Sequence, residues 1–189
     1  MSDTFLVAVY ADESCLGNGR DGDNPGGAGG LIEYRSPQSE KLTRLDYWMS
    51  EPSTTNNRMA LRSAIEALRL LSRKGKRLRV HFTSDSEYLV KGMKEWLPGW
   101  KSRGWQRKGG PIVNIELWRE LDEVAKAHDV DWQWVRGHNK HPQNEYADHL
   151  ATRAAREQSK SEGPVPSLYE EWLSGQRAKG RLASEPVNR

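Results

Sequence analysis

The chain has little cysteine, no long apolar run and no large excess of charge, and each shortage excludes a class of protein. A single cysteine, Cys15, among 189 residues excludes an intramolecular disulfide and a cysteine-rich zinc site. It also suits a reducing compartment, so we expect a cytoplasmic protein. No apolar stretch approaches the roughly 18 residues of a membrane-spanning helix, and residues 1–5 lack the basic and apolar regions of a signal peptide. We therefore expect no membrane partner.

The formal net charge is only +3, so any case for nucleic-acid binding depends on where the charge lies. The segment 91–108 carries six basic residues against one acidic residue, Glu95, a local charge of +5. Such a concentration predicts a surface that binds phosphates. Trp96, Trp100 and Trp105 alternate with these basic residues. We expect Trp96 to pack beneath this segment as part of its core.

Hydrophobic periodicity predicts an α/β chain. The predicted elements are strands at 5–12, 28–35 and 42–49, a helix at 57–72, a strand at 78–84, a helix at 86–96 that ends before Pro98, a helix at 112–127, a strand at 130–135 and a helix at 143–157. Three consecutive strands indicate an antiparallel meander, and the later strands indicate parallel additions. The result is a mixed sheet with helices on both faces.

The composition changes near residue 158, where we place a domain boundary. Residues 1–158 form the predicted domain, and residues 159–189 form a C-terminal tail. Within the tail, 159–167 is typical of a linker, 168–177 predicts a short helix, and the polar remainder is expected to be partly disordered.

Two carboxylates, Asp12 and Asp85, lie at the ends of strands predicted to be parallel. The carboxyl ends of parallel strands meet at one edge of a sheet, and Asp148 in the last helix can reach the same edge. Either strand-end aspartate alone could simply cap a turn. Clustered carboxylates, however, repel one another, and bound Mg²⁺ ions would relieve this repulsion. A pair of such ions roughly 3.5–4 Å apart can activate a water and stabilise the leaving oxygen of a phosphodiester.

Five segments appear together in an order that belongs to one family: ADESCLGN (11–18), TTNNRMAL (54–61), TSDSEYLVKG (83–92), GWKSRGW (99–105) and VRGHNKHPQNEYADHLA (135–151). Over roughly residues 4–155 the chain resembles the bacterial type 1 ribonucleases H. The resemblance implies a mixed five-stranded ribonuclease H-like sheet in a monomer. It implies an endonuclease that hydrolyses the RNA strand of RNA–DNA hybrids with two Mg²⁺ ions, with Mn²⁺ as an alternative metal.

The resemblance also implies four metal-binding carboxylates, of which Asp12, Asp85 and Asp148 match three. Asp12 would bridge both ions, and Asp148 would lie nearest the nucleophilic water. The fourth carboxylate, a helix glutamate, belongs at position 60, where this chain has Ala60. Because alanine binds no metal, we expect hybrid binding to be kept and the cleavage rate to fall by orders of magnitude.

Two explanations of Ala60 compete. The residue is either an engineered inactivating change, which the intact neighbouring motifs favour, or the mark of a naturally non-catalytic hybrid-binding protein. Substitution by another glutamate is not expected. Glu66 lies six residues farther along the helix, and Glu13 should point to the opposite face of its strand from Asp12.

The resemblance assigns further roles by position. His138, on a loop beside the metal centre, would assist proton transfer or product release. The implied hybrid contacts are Asn18, Asn56 and Asn57 in the minor groove, Thr55 at a DNA phosphate, Glu87 where glutamine is common, and Trp100, Lys101, Arg103 and Trp105 on a basic protrusion. Glu13 stands where the family usually has glycine. A resolvase- or integrase-type nuclease of the same fold is the less favoured alternative.

Overall fold

The computed structural model describes residues 6–17, 24–36, 41–137 and 141–182. Its centre is a mixed sheet in the order β5-β4-β1-β2-β3-β6. The strands are β1 (Leu6–Cys15), β2 (Gly26–Arg35), β3 (Leu42–Glu51), β4 (Arg79–Ser84), β5 (Asp129–Trp134) and β6 (Val165–Pro166). β1, β2 and β3 pair antiparallel, whereas β4 and β5 add in parallel beside β1. The predicted mixed sheet is confirmed, with a sixth strand that comes from the segment predicted to be a linker.

Helices cover both faces of this sheet, as predicted. They are α1 (Asn56–Ser72), α2 (Glu87–Lys91), a π-helical turn (Gly92–Trp96), α3 (Leu97–Ser102), α4 (Ile115–Ala125), α5 (Pro142–Glu157) and α6 (Tyr169–Ala178). The larger core includes apolar residues of α1 and α4, and a smaller core joins β2 to α5 and α6. Among the described residues, no helix has the length and apolar character needed to cross a membrane.

The helix predicted to end before Pro98 continues through the π-helical turn to Ser102, so that prediction was wrong. Proline lacks an N–H, but the π-helical turn changes the pairing just before it, because the Leu97 N–H donates to the Gly92 carbonyl oxygen five residues earlier. Pro98 then lies at the start of the α-helical hydrogen bonding of α3, where its missing N–H is tolerated. The turn begins at Gly92, where an added Cβ would lie 2.0 Å from the Trp118 ring. The continued helix brings the Trp100 ring to 5.5 Å from that of Trp118.

The pleat of β1 divides its side chains between the two helical layers. Val9 and Ala11 are buried in the core that contains residues of α1. On the other face, Tyr10 has its ring 5.5 Å from that of His141, just before α5. The neighbouring strand β2 is rich in glycine, so α5 can pack close to its backbone. A Cβ at Gly27 would lie 2.2 Å from the Ala151 carbonyl oxygen.

The C-terminal segment packs on this same α5 face. β6 pairs with β3, and the ring of Tyr146 in α5 lies 5.4 Å from that of Tyr169 and 5.1 Å from that of Trp172. Beneath them Asp46 is only 2% exposed. Its carboxylate accepts hydrogen bonds from the Tyr146 hydroxyl at 2.6 Å and from the Leu168 amide at 3.3 Å. One buried carboxylate therefore connects β3, α5 and the start of α6.

Replacing Tyr146 with phenylalanine should weaken this connection. The change Tyr146→Phe removes one donor and leaves a buried carboxylate less well satisfied, which typically costs about 1–3 kcal/mol. We expect a lower Tm by thermal unfolding, by roughly 2–4 °C for each kcal/mol in a chain of this size. Tyr34→Phe, on the partly buried end of β2, is the matched control. An unchanged Tm in Tyr146→Phe would contradict the role given to this hydrogen bond.

Candidate active site

The acidic residues gather where two parallel strands end. The β1–β4 ladder stops at the pair Ala11–Ser84, whereas β1 continues against β2 as far as Cys15. Asp12 and Glu13 therefore extend beyond the end of β4, and Asp85 directly follows β4. The predicted meeting of the Asp12 and Asp85 carboxylates at this edge is confirmed by the structure.

Three carboxylates, not two, meet at this edge. One oxygen each of Asp12, Glu13 and Asp85 can be chosen so that all three lie within 4.8 Å of one another. The Glu13 amide donates to Asp12 Oδ1 at 2.7 Å, and Asn144 Nδ2 in the first turn of α5 donates to Asp12 Oδ2 at 3.3 Å. Two protein donors thus orient the Asp12 carboxylate.

The expectation that Glu13 cannot join Asp12 was wrong. Its premise, that the two side chains leave β1 on opposite faces, was right. Asp12 faces α5 through Asn144. By alternation along β1, Glu13 lies on the same face as Val9 and Ala11, which pack in the core that contains residues of α1. Opposite faces separate two side chains only where a neighbouring strand lies between them. Here β4 has ended, so both reach round the edge of β1 to Asp85.

The electrostatics of this cluster oppose full ionisation in the absence of a cation. Burial raises the pKa of Asp12 to about 9, with further contributions from the charges of Asp85, Glu13 and Asp148. Burial and the charge of Asp85 raise the pKa of Glu13 to about 8. The charge of Asp148 reaches Asp12, but Asp148 is not one of the three converging carboxylates, and its place in the metal set stays a prediction.

This donor set fits a hard divalent cation. Mg²⁺ and Mn²⁺ prefer carboxylate oxygens, and Asp12 is only 6% exposed, so water alone solvates its charge poorly. A bound cation would compensate for the carboxylate charges that raise the pKa values of Asp12 and Glu13. The residues that would hold it are Asp12, Glu13 and Asp85, with Asp148 nearby.

The raised pKa values predict an unusual pH dependence of stability. Between the ordinary carboxyl pKa of about 4 and the values of about 9 for Asp12 and about 8 for Glu13, the folded chain binds more protons than the unfolded chain. In buffer with EDTA, the free energy of unfolding should fall by at least about 1 kcal/mol as the pH rises from about 5 to about 9. Urea unfolding across this range measures the effect, and Mg²⁺ should reduce it. A rise in stability over this range would contradict the electrostatic description.

Position 60 lies in the packed interior. Ala60 is 1% exposed and belongs to the same core as Val9 and Ala11. The other candidate substitute, Glu66, forms an ion pair with Lys160 at 3.6 Å instead of joining the three carboxylates. The expectation that Glu66 does not replace the missing carboxylate agrees with this position.

The residues predicted to contact the hybrid at the start of α1 have mixed surroundings. Thr55 is exposed and caps α1 by accepting a hydrogen bond from the Arg58 amide at 3.3 Å. Asn57 is exposed, whereas Asn56 Oδ1 is buried and has no hydrogen-bond partner among the described residues. Glu87, also exposed, pairs with Lys91 at 2.9 Å.

The basic segment is organised differently from the prediction. Trp100 is only 8% exposed and packs between Trp96 and Trp118, so it supports the segment from beneath instead of presenting its ring to a ligand. Lys101 Nζ forms an ion pair with Asp122 at 2.8 Å. This ion pair ties α3 to α4.

Two other residues of the basic segment, Arg103 and Trp105, are at least partly accessible to a ligand. Arg103 is exposed. Trp105 is partly buried, has a positive φ of 63°, and lies under the Arg119 guanidinium, 5.2 Å from the ring centre. Asn18 and His138, the remaining predicted site residues, lie outside the described residues.

Sequence reasoning missed two functional candidates, Glu13 and Asn144. Glu13 was visible as an acidic residue where the family resemblance implies glycine. Asn144 was visible only as part of the HPQNE segment before Asp148. Its side chain is 3% exposed, and its Oδ1 atom has no partner in the described part of the chain.

Comparisons with known proteins agree with this geometry. A model of the RNase H family matches residues 5–156. The ribonuclease H of Pelobacter propionicus is 46% identical over 155 residues, which cover 82% of this chain and 87% of the relative. The ribonuclease HI of Pseudomonas aeruginosa is 45% identical over 159 residues, which cover 83% of this chain and 98% of the relative.

One solved structure is similar over nearly the whole chain. The crystal structure of LC9-RNase H1 is 56% identical and superposes with a TM-score of 0.90, covering 98% of this chain and 89% of that chain. It is described as a type 1 RNase H with the type 2 active-site motif. With the family match and the bacterial relatives, it shows that this chain belongs to the bacterial type 1 ribonucleases H, the endonucleases that hydrolyse the RNA of RNA–DNA hybrids.

Proposed function

We propose that this chain is a catalytically competent ribonuclease H in which Glu13 supplies the carboxylate that is missing at Ala60. The observation that carries the proposal is the convergence of Asp12, Glu13 and Asp85 oxygens within 4.8 Å. An inactivated protein would lack the helix glutamate without gaining a replacement. Here a glutamate occupies a position where the family resemblance implies glycine, and its carboxylate reaches the two aspartates.

The proposed metal site consists of Asp12, Glu13 and Asp85, with Asp148 completing the set of four. Two Mg²⁺ ions, or Mn²⁺ in their place, would activate a water molecule and stabilise the oxygen that leaves the phosphodiester. Asp12 is suited to bridging two ions because both of its oxygens are already oriented by the Glu13 amide and by Asn144. His138 is proposed to move a proton at the edge of the site.

The description of LC9-RNase H1 supports the proposal. That protein combines a type 1 chain with an active-site motif of another type. Within its acidic set, the present chain likewise departs from the type 1 arrangement at Glu13 and Ala60, while Asp12, Asp85 and Asp148 match it. The paired departures are easier to explain as an exchange of one glutamate position for another than as a single inactivating change.

The proposed substrate is an RNA–DNA hybrid, held by exposed polar and basic groups. Thr55 and Asn57 at the start of α1 and Arg103 on the basic segment are exposed, and Asn56 has a buried carbonyl oxygen without a partner among the described residues. Trp105 and Asn18 complete the proposed surface. Trp100 and Lys101 are proposed to act indirectly, by fixing the shape of the segment.

The proposal is tested by cleavage of a labelled RNA–DNA hybrid with and without Mg²⁺. We expect cleavage of the RNA strand in Mg²⁺ and its loss in excess EDTA, with full recovery when Mg²⁺ is added back. Duplex RNA and duplex DNA of the same sequence should remain intact. Binding of the hybrid without any cleavage would favour the non-catalytic alternative, and cleavage of duplex DNA alone would favour a resolvase-type nuclease.

A further inference from the structure

Asp85 lies in a short turn between β4 and α2 that is held at both ends by serines. Ser84, the last residue of β4, is 1% exposed, and its Oγ atom accepts a hydrogen bond from the Ser86 amide at 3.1 Å. Ser86 in turn caps α2, because its Oγ atom accepts from the Leu89 amide at 3.3 Å. Buried hydroxyl groups therefore fix the backbone on either side of Asp85, and none of these hydrogen bonds involves the Asp85 carboxylate.

The segment that follows β5 wraps round this turn. The Val135 amide donates to the Ser84 carbonyl oxygen at 3.1 Å, and Trp134 Nε1 donates to the Asp85 carbonyl oxygen at 3.0 Å. The Trp134 side chain is 46% exposed, so burial of its apolar surface explains little of its position. The indole hydrogen bond anchors the ring, and with it the segment, to the Asp85 main chain.

Gly137 in the same segment lies directly against the Asp85 side chain. A Cβ added to Gly137 would lie 2.4 Å from Asp85 Oδ2, whereas carbon–oxygen contacts are normally about 3.3 Å or longer. The φ of Gly137 is not in the left-handed region, so its backbone conformation does not require glycine. The close approach to the carboxylate is what requires a residue without a side chain.

We propose that Gly137 is a positioning residue for the metal site. Its backbone occupies the space next to Asp85 Oδ2, so the carboxylate keeps the direction in which it meets Asp12 and Glu13. Trp134 holds the Gly137 segment in place by its hydrogen bond to the Asp85 main chain. This role rests on the proposed function, in which Asp85 is a metal ligand.

A methyl group at position 137 is large on the scale that an active site tolerates. The groups of such a site must be held within about 0.5 Å of the productive geometry. The added methyl group would displace Asp85 Oδ2 by roughly 1 Å if the contact is to reach an ordinary length. Gly137→Ala should therefore disturb the metal site without removing any of its ligands.

The test compares metal binding and cleavage in the full chain. In Gly137→Ala we expect the affinity for Mn²⁺, measured without substrate from the electron paramagnetic resonance signal of free Mn²⁺, to fall at least about tenfold. The single-turnover rate at saturating hybrid should fall by about a hundredfold, as is usual for a displacement of about 1 Å at a reacting centre. Hybrid affinity in EDTA and the Tm should stay close to those of the parent.

Two other variants accompany Gly137→Ala. The matched control is Gly175→Ala in α6, where an added Cβ would have no neighbouring group within 4 Å, and it should match the parent in every measurement. Trp134→Phe keeps an aromatic ring and removes the indole N–H, so its cleavage rate should fall by roughly threefold to tenfold. A parent-like rate in Trp134→Phe would overturn the part given to Trp134, and the whole proposal if Gly137→Ala does not fold.

Parent-like Mn²⁺ affinity and cleavage in Gly137→Ala would overturn the positioning role. Loss of hybrid affinity in EDTA with unchanged Mn²⁺ affinity would identify the segment as a substrate contact and would also overturn it. Asp85→Asn separates this role from the proposed function. If Asp85→Asn binds Mn²⁺ as the parent does, the metal role of Asp85 fails. If Asp85→Asn loses Mn²⁺ affinity and Gly137→Ala does not, only the role of Gly137 fails.

Discussion

Glu13→Gln is expected to lower the rate of Mg²⁺-dependent hybrid cleavage by about a thousandfold or more, since charge stabilisation at a metal centre contributes several kcal/mol. Glutamine keeps the size of the side chain and removes the charge that holds a cation beside Asp12 and Asp85. Single-turnover cleavage of a labelled hybrid measures the effect. Hybrid affinity, measured in Ca²⁺ or EDTA, should change little.

Two further observations distinguish this loss from a folding defect. The matched control is Glu66→Gln, which alters the other candidate glutamate, already paired with Lys160, and should leave the cleavage rate within about twofold. In EDTA at about pH 8.5, Glu13→Gln should be more stable than the parent, because a partly buried charge beside Asp85 is removed. Full activity of Glu13→Gln would show that Glu13 is not a member of the catalytic set.

The second large effect is expected from Ala60→Glu. Whether this substitution raises the rate of hybrid cleavage depends on which residue stands at position 13. In the Glu13→Gln background, a carboxylate at position 60 restores the arrangement that the family resemblance implies. We therefore expect recovery of most of the lost activity, by a factor of about a hundred or more. Single-turnover rates of the double variant and the two single variants provide the comparison.

In the parent background the same substitution should bring little benefit. Ala60 is 1% exposed, and burial together with the neighbouring carboxylates already raises the pKa of Asp12 to about 9, so an added carboxylate increases repulsion at a buried site. Ala60→Glu alone should leave the cleavage rate unchanged or lower it, and it should reduce metal-free stability. A rise of orders of magnitude would instead support the hypothesis that Ala60 marks an inactivated protein.

The contrast between these variants measures how strongly positions 13 and 60 are coupled. If one glutamate serves at either position, the effects of the two substitutions are far from additive. Asp12 and Asp85 are common to both arrangements, so the exchange changes only the direction from which the third carboxylate approaches. Ala60 lies in α1, and Glu13 lies on the face of β1 that packs toward α1, so either carboxylate would approach from that side.

Local sequence patterns predicted most of the fold. The start of β1 is a compact apolar run, β3 and β4 alternate in polarity, and α1 has apolar residues at helical spacing, so the pattern predicted these elements. The prediction failed at Pro98, where a π-helical turn that begins at Gly92, close to the Trp118 ring, lets the helix continue. It also failed at 165–166, where strand pairing with β3 depends on a partner about 120 residues away, a contact that local pattern cannot reveal.

The sequence by itself determined the family, the aspartates at 12, 85 and 148, and the absence of a glutamate at position 60. Only the tertiary structure decided that Glu13 lies with Asp12 and Asp85. The alternation of side chains along β1 is a local property, and by itself it separates residues 12 and 13 to opposite faces. Where β4 ends depends on its pairing with β1, and because that ladder stops at Ala11, adjacent residues on opposite faces converge on one site.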